Sequence, residues 1–333
     1  MSTTNGRDAR AERGPAGASA RERRGAPQDG SAEMAMVARA RPASYYGRAV
    51  LKPPVWGEDI AYYFFLGGLS AGASLLAVGA DQTGRSALRR GGRLGALGSL
   101  GLGMFFLVKD LGRPERFHHM LRVAKLTSPM SVGTWILSAY GAACGMAAAA
   151  EVWPKRLAPR PAGRLLAATG RPAGLAAGLL APVVAAYTAV LLADTAVPAW
   201  NAARRELPFV FTASAAASAG GLGMIVAPPS EAAPARRLAQ YGAIVELAAS
   251  RRLEARREVA LEPYLFGNAG RLLNRASALT AAGVLGSMLA GRRSRVAAVA
   301  SGAALLAGGM YERLGILRAG VASTTDPRYV NGG

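Results

Sequence analysis

The chain has 333 residues, is 51% hydrophobic but only 7% aromatic, and carries a formal net charge of +20. Its apolar content is mostly Ala, Leu and Val, with 42 Gly besides, a mixture suited to helices packed closely in lipid, where small residues take over the role of the hydrophobic effect, and not to a water-soluble enzyme core. The Arg residues fall in short clusters between apolar runs without aromatic–basic interleaving, which excludes nucleic acid as a partner and leaves membrane topology as the source of the charge.

Residues 1–50 are rich in Arg, Ala, Gly, Ser and Pro with no sustained apolar period, and read as a disordered basic tail. Arg23-Arg24 is followed by Gly-Ala-Pro-Gln-Asp-Gly and not by an apolar stretch, so a twin-arginine export signal is rejected. The first span is predicted from Asp59 to Ala80, after Pro53-Pro54, about the 20 residues that a hydrocarbon core requires. A basic loop with Arg85, Arg89, Arg90 and Arg93 leads to a second span, Leu94 to Leu111, and then to the charged connection Gly-Arg-Pro-Glu-Arg-Phe-His-His-Met.

A third span is expected over Ser131 to Val152, a Pro- and Arg-rich stretch over 153–172, and a fourth span over Ala173 to Ala196. The fifth, Pro208 to Ala227, stops at Pro228-Pro229, which lack the N–H groups that continue a helix. Leu238 to Ala249 is the weakest member because Glu246 interrupts it. Leu272 to Ala290 and Val296 to Leu317 complete an all-α integral membrane protein of about eight transmembrane helices, read as two four-helix bundles, with residues 321–333 as a C-terminal tail. An even number of spans puts both termini on one side, and the basic tail assigns that side to the cytoplasm in a cytoplasmic (inner) membrane.

Cys144 is the single cysteine, which excludes disulfides, a Cys-ligated zinc site and an iron–sulfur cluster within the chain. The two histidines, His118 and His119, are adjacent, whereas a haem held between helices takes a ligand from each; no intrinsic haem is expected. Electron-carrying metal centres therefore belong to other chains.

Charges close to a bilayer interior are costly and ask for a reason. Glu58 and Asp59 open the first span beside Tyr62 and Tyr63; as bland features they cap the positive end of a helix within an aromatic belt. The spacing of Asp59, Tyr62 and Tyr63 also allows them to line one pocket. Lys109 and Asp110 close the second span ahead of Arg113, Glu115 and Arg116, where an ion-pair cluster is expected. Asp194 ends the fourth span, two turns after Tyr187 and shortly before Trp200. Three acidic helix ends thus converge on one face, where chemistry that takes up or releases protons needs carboxylate relays.

At these residues the sequence resembles the NrfD/polysulfide-reductase membrane-subunit family. The resemblance is carried by Lys52-Pro-Pro-Val-Trp56, by Tyr-Phe-Phe-Leu-Gly-Gly-Leu-Ser-Ala-Gly72, by Asp110-Leu-Gly-Arg-Pro-Glu-Arg-Phe117, by Thr127-Ser-Pro-Met-Ser-Val-Gly-Thr-Trp135 and by Tyr187 through Trp200. It implies an NrfD-like transmembrane domain over 51–320. That domain would anchor a ferredoxin-like, four-cluster iron–sulfur subunit joined to a molybdopterin catalytic subunit, as in formate dehydrogenase-like or polysulfide reductase-like complexes. It implies a quinone, menaquinone or ubiquinone, bound in this protein, with no haem or iron–sulfur cluster of its own.

Carried over by position, Glu58, Asp59, Tyr62, Lys109, Asp110, Tyr187, Asp194 and Trp200 are implied in quinone binding or proton relay. Arg113, Glu115 and Arg116 are implied in partner contact. Lys109 and Asn201 stand where near relatives carry His, which puts the proton route in doubt. Two other functions compete: a proton-conducting channel or transporter, and a structural anchor whose quinone site has decayed.

Overall fold

The computed structural model describes residues 51–154, 156, 159–291 and 293–331. The tail predicted over 1–50 lies outside the described residues. Among these residues the chain is all-helical, with eight long helices: α1 (Glu58–Gln82), α2 (Ser86–Lys109), α3 (Pro129–Val152), α4 (Pro161–Ala193), α6 (Leu207–Val226), α7 (Ala233–Ala255), α9 (Gly267–Leu289) and α10 (Arg295–Thr325). Short helices α5 (Pro198–Ala202), α8 (Glu262–Leu265) and α11 (Arg328–Asn331), with 3-10 turns at Pro114–Leu121 and Val259–Leu261, occupy connections or the C-terminal end.

Five helices, α1 to α4 and α6, are long and apolar enough to cross a membrane by length and composition. In α7 and α10 the apolar run is broken by Glu246 and by Glu312-Arg313, all three buried inside the protein. The protein is a multi-pass membrane protein.

The helices form two bundles. In the first, α1 packs on α2 and α4, and α3 on α4 and α2; in the second, α6 packs on α7 and α10, and α9 on α10. The bundles meet along α1 and α6. A Cβ on Gly72 would lie 2.6 Å from the Ala215 carbonyl oxygen and 2.6 Å from Ala219 Cβ, so only glycine permits this approach. Such small-residue seams are how helices associate without a hydrophobic drive between them.

Local chemistry sets the helix ends. Ser128 Oγ accepts from Ser131 N (3.4 Å) with Pro129 at the first helical position, and Ser294 Oγ accepts from Ala297 N (3.2 Å). The start of α2 is capped from the α6–α7 connection, where Glu231 Oε2 accepts from Ala87 N (2.8 Å) and Leu88 N (3.1 Å).

Several boundaries differ from the sequence expectation. Arg89, Arg90 and Arg93 belong to α2 and not to a loop, because Asp81 of α1 and Glu151 of α3 neutralise two of them: Arg93 Nη1 lies 2.9 Å and Arg89 Nε 2.7 Å from Glu151 Oε1. Helix α4 starts at Pro161 and runs through Pro172 and Pro182. Proline is a reliable stop where water competes for the freed carbonyl; in lipid the remaining helical hydrogen bonds have no such competitor. Helix α10 continues to Thr325, into the segment expected to be a C-terminal tail.

Candidate functional site

The start of α1 and the ends of α2 and α4 lie at one end of the first bundle, as the Glu58, Asp59, Asp110 and Asp194 pattern implied. Asp110, just past α2, accepts a hydrogen bond from Gly57 N (3.0 Å), tying the entry of α1 to the exit of α2. Immediately inside this tie a cavity of about 500 Å³ opens between α1, α2, α3 and α4, flanked by the Pro114–Leu121 turn. Its walls are apolar, with Ile60, Phe64, Met104, Leu107 and Leu137 among them, and its few polar groups come from Tyr63, Asp110, Thr134, Ser138 and Tyr187. This is the common form of a site for a small, largely apolar molecule.

The polar centre of the cavity is a pair of phenols. Tyr63 Oη and Tyr187 Oη are hydrogen-bonded across the α1–α4 contact. Tyr63 is buried, and Tyr187 is half-buried. The ring of Tyr187 is seated against Gly133 of α3, where a Cβ would lie 2.5 Å from Cε2. The glycine of the Ser-Val-Gly-Thr-Trp segment therefore makes room for the tyrosine.

Trp56 forms another wall. Its indole stacks on that of Trp200 at 5.7 Å between ring centroids, and Trp200 Nε1 donates to the Ile316 carbonyl (2.8 Å). Trp200 is fully buried. It stands behind the wall and not in it, although the resemblance implied it in quinone binding or proton relay.

The other residues singled out from the sequence divide as follows. Asp110 and Tyr187 border the cavity. Asp59 does not; it pairs with Lys109 Nζ at 3.1 Å on the rim. Tyr62 does not either, and packs on the Phe106 ring with centroids 5.0 Å apart. Of the trio Asp59, Tyr62 and Tyr63, then, only Tyr63 faces inward. Glu58 pairs with Arg318 of α10. Asp194 is exposed at the end of α4, and Arg113, Glu115 and Arg116 are exposed along the α2–α3 connection.

In place of the ion-pair cluster expected within residues 109–116, Lys109 pairs with Asp59 and Asp110 accepts from Gly57 N, both at the start of α1. His118 and His119 touch edge to face (centroids 4.5 Å) on the same connection, and among the described residues no group of His, Cys, Asp and Glu is arranged to hold a metal ion.

Sequence reading did not commit to Tyr63, Trp56, Thr134 or Ser138. A signal for Tyr63 was present: Tyr63, Ser70 and Ser74 recur at i, i+7 and i+11, one face of a helix that is otherwise apolar.

At the same end of the molecule a polar recess of about 970 Å³ is bordered by Arg204, Arg205, Arg256, Arg257 and Asn201. Arg256 donates to Glu258 (2.6 Å) and Glu206 (2.7 Å), and the Glu258 hydrogen bond foremost holds its guanidinium above the ordinary value.

Residues 49–233 match the family model described as polysulphide reductase, NrfD. One of the chains of the polysulfide reductase of Wolinella succinogenes is 36% identical over 92 residues, covering 26% of this protein and 29% of that one. One of the subunits of the selenate reductase of Mesobacillus selenatarsenatis is 36% identical over 88 residues, covering 26% of this protein and 20% of that one. The alignments thus span less than a third of either relative's length.

Proposed function

This chain belongs to the polysulphide reductase NrfD family, and from that premise we propose that it is the quinone-reactive membrane subunit of a molybdopterin-type oxidoreductase complex. It passes electrons between an iron–sulfur partner and the membrane quinone pool. The proposal takes 51–320 as the working domain, in the cytoplasmic membrane with the N-terminus on the cytoplasmic side. The names of its relatives, each one of several polypeptides in a polysulfide reductase or a selenate reductase, support a place in a multi-subunit reductase.

The observation that carries the reading is the Tyr63–Tyr187 pair inside the apolar cavity. The residues present suit a quinone. Its ring and tail are apolar, its two carbonyl oxygens accept hydrogen bonds, and the cavity offers an apolar slot with paired phenol donors at one side. When bound, the quinone supplies two-electron, two-proton redox chemistry. Tyr63 and Tyr187 orient a carbonyl oxygen and stand ready to hold or pass a proton at Oη. Asp110 fixes the α1 entry and lends a carboxylate to the same wall. Trp56, braced by Trp200, keeps the slot narrow and dry. Asp59 and Lys109 act from the rim, as the first exchange point between cavity and water.

Partner contact belongs to the same end of the protein. Arg113, Glu115 and Arg116 on the exposed connection, with the basic recess around Arg204, Arg205 and Arg257, form the face on which an acidic iron–sulfur protein would dock close to the cavity. Such a charged rim governs association rate and salt dependence more than raw affinity.

The test uses the wall tryptophan. Titrating the purified complex with dimethylnaphthoquinone should quench Trp56 fluorescence saturably, the saturable part should vanish in Trp56→Phe, and Tyr63→Phe and Tyr187→Phe should each weaken binding. Linear, unsaturated quenching in the wild-type protein would reject the site and favour a structural anchor.

A second reading, a proton-conducting channel or transporter, draws on the buried Glu246, Glu312 and Arg313 of the second bundle. Charges inside a membrane protein commonly mark ion routes. Proton flux through this protein alone in liposomes, without quinone, would favour it.

A further inference from the structure

We propose that the recess at the start of α7 holds the headgroup phosphate of an anionic phospholipid, whose acyl chains lie along the exposed face of the same helix. The site is at the end of the protein opposite the cavity: Glu231, two residues ahead of α7, caps the start of α2, whereas the cavity lies by the end of α2. The inference goes beyond the quinone reading and does not depend on it.

Helical periodicity sets the site out. Ala233, Arg236, Arg237 and Gln240 stand at i, i+3, i+4 and i+7, on one face of α7, and together they border a recess of about 350 Å³. Gln240 Nε2 donates to Ser287 Oγ (3.2 Å), which ties the recess to α9. The same face of α7 continues inward as Tyr241, Ile244 and Val245 at i+8, i+11 and i+12. These three are 70%, 51% and 47% exposed, so the apolar stripe below the recess is turned outward.

The depths match a phospholipid. At about 1.5 Å of rise per residue, Ile244 lies about 10 Å deeper than Arg237. The polar layer on each side of a hydrocarbon core is about 5–8 Å thick. Arg237 therefore stands at the level of lipid phosphates and Ile244 and Val245 at the level of acyl chains. Tyr241 is between them, at the boundary where aromatic rings collect.

The charge is left for a ligand to neutralise. Glu231 is the single carboxylate of the α6–α7 connection, and α7 carries no other acidic residue before Glu246. Glu231 is turned to α2, where it accepts from Ala87 N and Leu88 N. Other arginines at this end are engaged: Arg89 and Arg93 with Glu151, Arg171 with Asp81, and Arg295 with the Met224 and Ala227 carbonyls. Arg236 is buried on the recess, and the exposed Arg237 beside it is in no such pair among the described residues.

Arginine and tyrosine at a membrane surface often serve as simple anchors. Anchoring requires neither a recess bordered by two adjacent arginines nor a nearby carboxylate turned away from them. A ligand that suits the whole feature has an anionic head and an apolar tail. Basic pockets between membrane helices bind such headgroups.

The experiment uses the intact complex, purified in detergent, stripped of lipid and returned to mixed micelles of phosphatidylglycerol and phosphatidylcholine. Native mass spectrometry with gas-phase release of this subunit counts the phospholipids that it retains. The wild-type subunit should retain phosphatidylglycerol in clear preference to phosphatidylcholine. The phosphatidylglycerol-bound fraction should fall about fivefold in Arg237→Gln, the effect of one basic residue at a lipid surface, and further in Arg236→Gln. Arg164→Gln, at an exposed site on α4 at the same end, should stay within twofold of wild type. Arg237 is exposed, so Arg237→Gln should keep the wild-type Tm in lipid-free detergent even if the buried Arg236→Gln does not fold. Equal retention of the two lipids by the wild-type subunit, or equal phosphatidylglycerol retention by wild type and Arg237→Gln, would overturn the site. Displacement of phosphatidylglycerol by an equal concentration of inorganic phosphate would assign the recess to a soluble anion and overturn the lipid.

Discussion

The hydroxyls of Tyr63 and Tyr187, 124 positions apart in sequence, share one hydrogen bond inside the first bundle. The bond joins α1 to α4 at the point where the apolar cavity has its polar centre, so packing and proposed chemistry depend on the same two side chains. Removing one of them has a readable cost. Tyr187→Phe leaves the buried Tyr63 phenol without its partner, which is worth about 1–3 kcal/mol. Quinone-analogue affinity in the fluorescence titration should fall by about tenfold, the equivalent of about 1.4 kcal/mol.

Gly133 provides an indirect test. A methyl group there would meet the Tyr187 ring at 2.5 Å, whereas Gly145 on the same helix has nothing within 4 Å of the equivalent position. Gly133→Ala should displace Tyr187 at about 1–3 kcal/mol of overpacking and weaken analogue binding. Gly145→Ala should leave binding unchanged and stabilise the helix by up to about 1 kcal/mol. Binding titrations paired with thermal unfolding in detergent separate the two.

Buried and exposed ion pairs should behave differently. Arg313 and Glu312 are 2% and 4% exposed, and the guanidinium also lies 3.8 Å from the Phe211 ring centroid and donates to the Phe211 carbonyl at 2.9 Å. Arg313→Ala strands a carboxylate in the second bundle and should cost about 3–5 kcal/mol. Lys109 is 56% exposed in its pair with Asp59, and Lys109→Ala should cost no more than about 1 kcal/mol. Chemical denaturation of the two variants should rank them in that order.

The basic recess predicts salt-sensitive assembly. Reversing Arg204 and Arg205 to Glu should reduce co-purification of the iron–sulfur partner at about 0.15 M salt, and the loss should shrink as added salt screens the wild-type interaction too. Equal co-purification at every ionic strength would move the docking face elsewhere.

Much of the architecture was legible in the sequence because a membrane span announces itself locally, through length and apolar content. Even the helix around Glu246 was recognised, although the reason it tolerates a carboxylate, burial near Thr280 Oγ1 at 3.0 Å, was not. The site was less legible. Neighbouring residues on a helix point about 100° apart, so choosing Tyr63 over Tyr62 needs the positions of α3 and α4, which no local pattern supplies. Trp200 was recognised as notable but not as the brace behind Trp56, since its partner Ile316 is 116 positions away. Arg93 reads as a loop charge until Glu151, on another helix, is known to face it.

The most direct measurement is photoaffinity labelling of the intact complex with an azidoquinone, followed by mapping of the modified residues. The account predicts labels on cavity walls such as Met104, Phe64 and Tyr187, protected by excess dimethylnaphthoquinone and diminished in Tyr63→Phe. Protected labels confined to the second bundle, or to the outer surface of the helices, would contradict it.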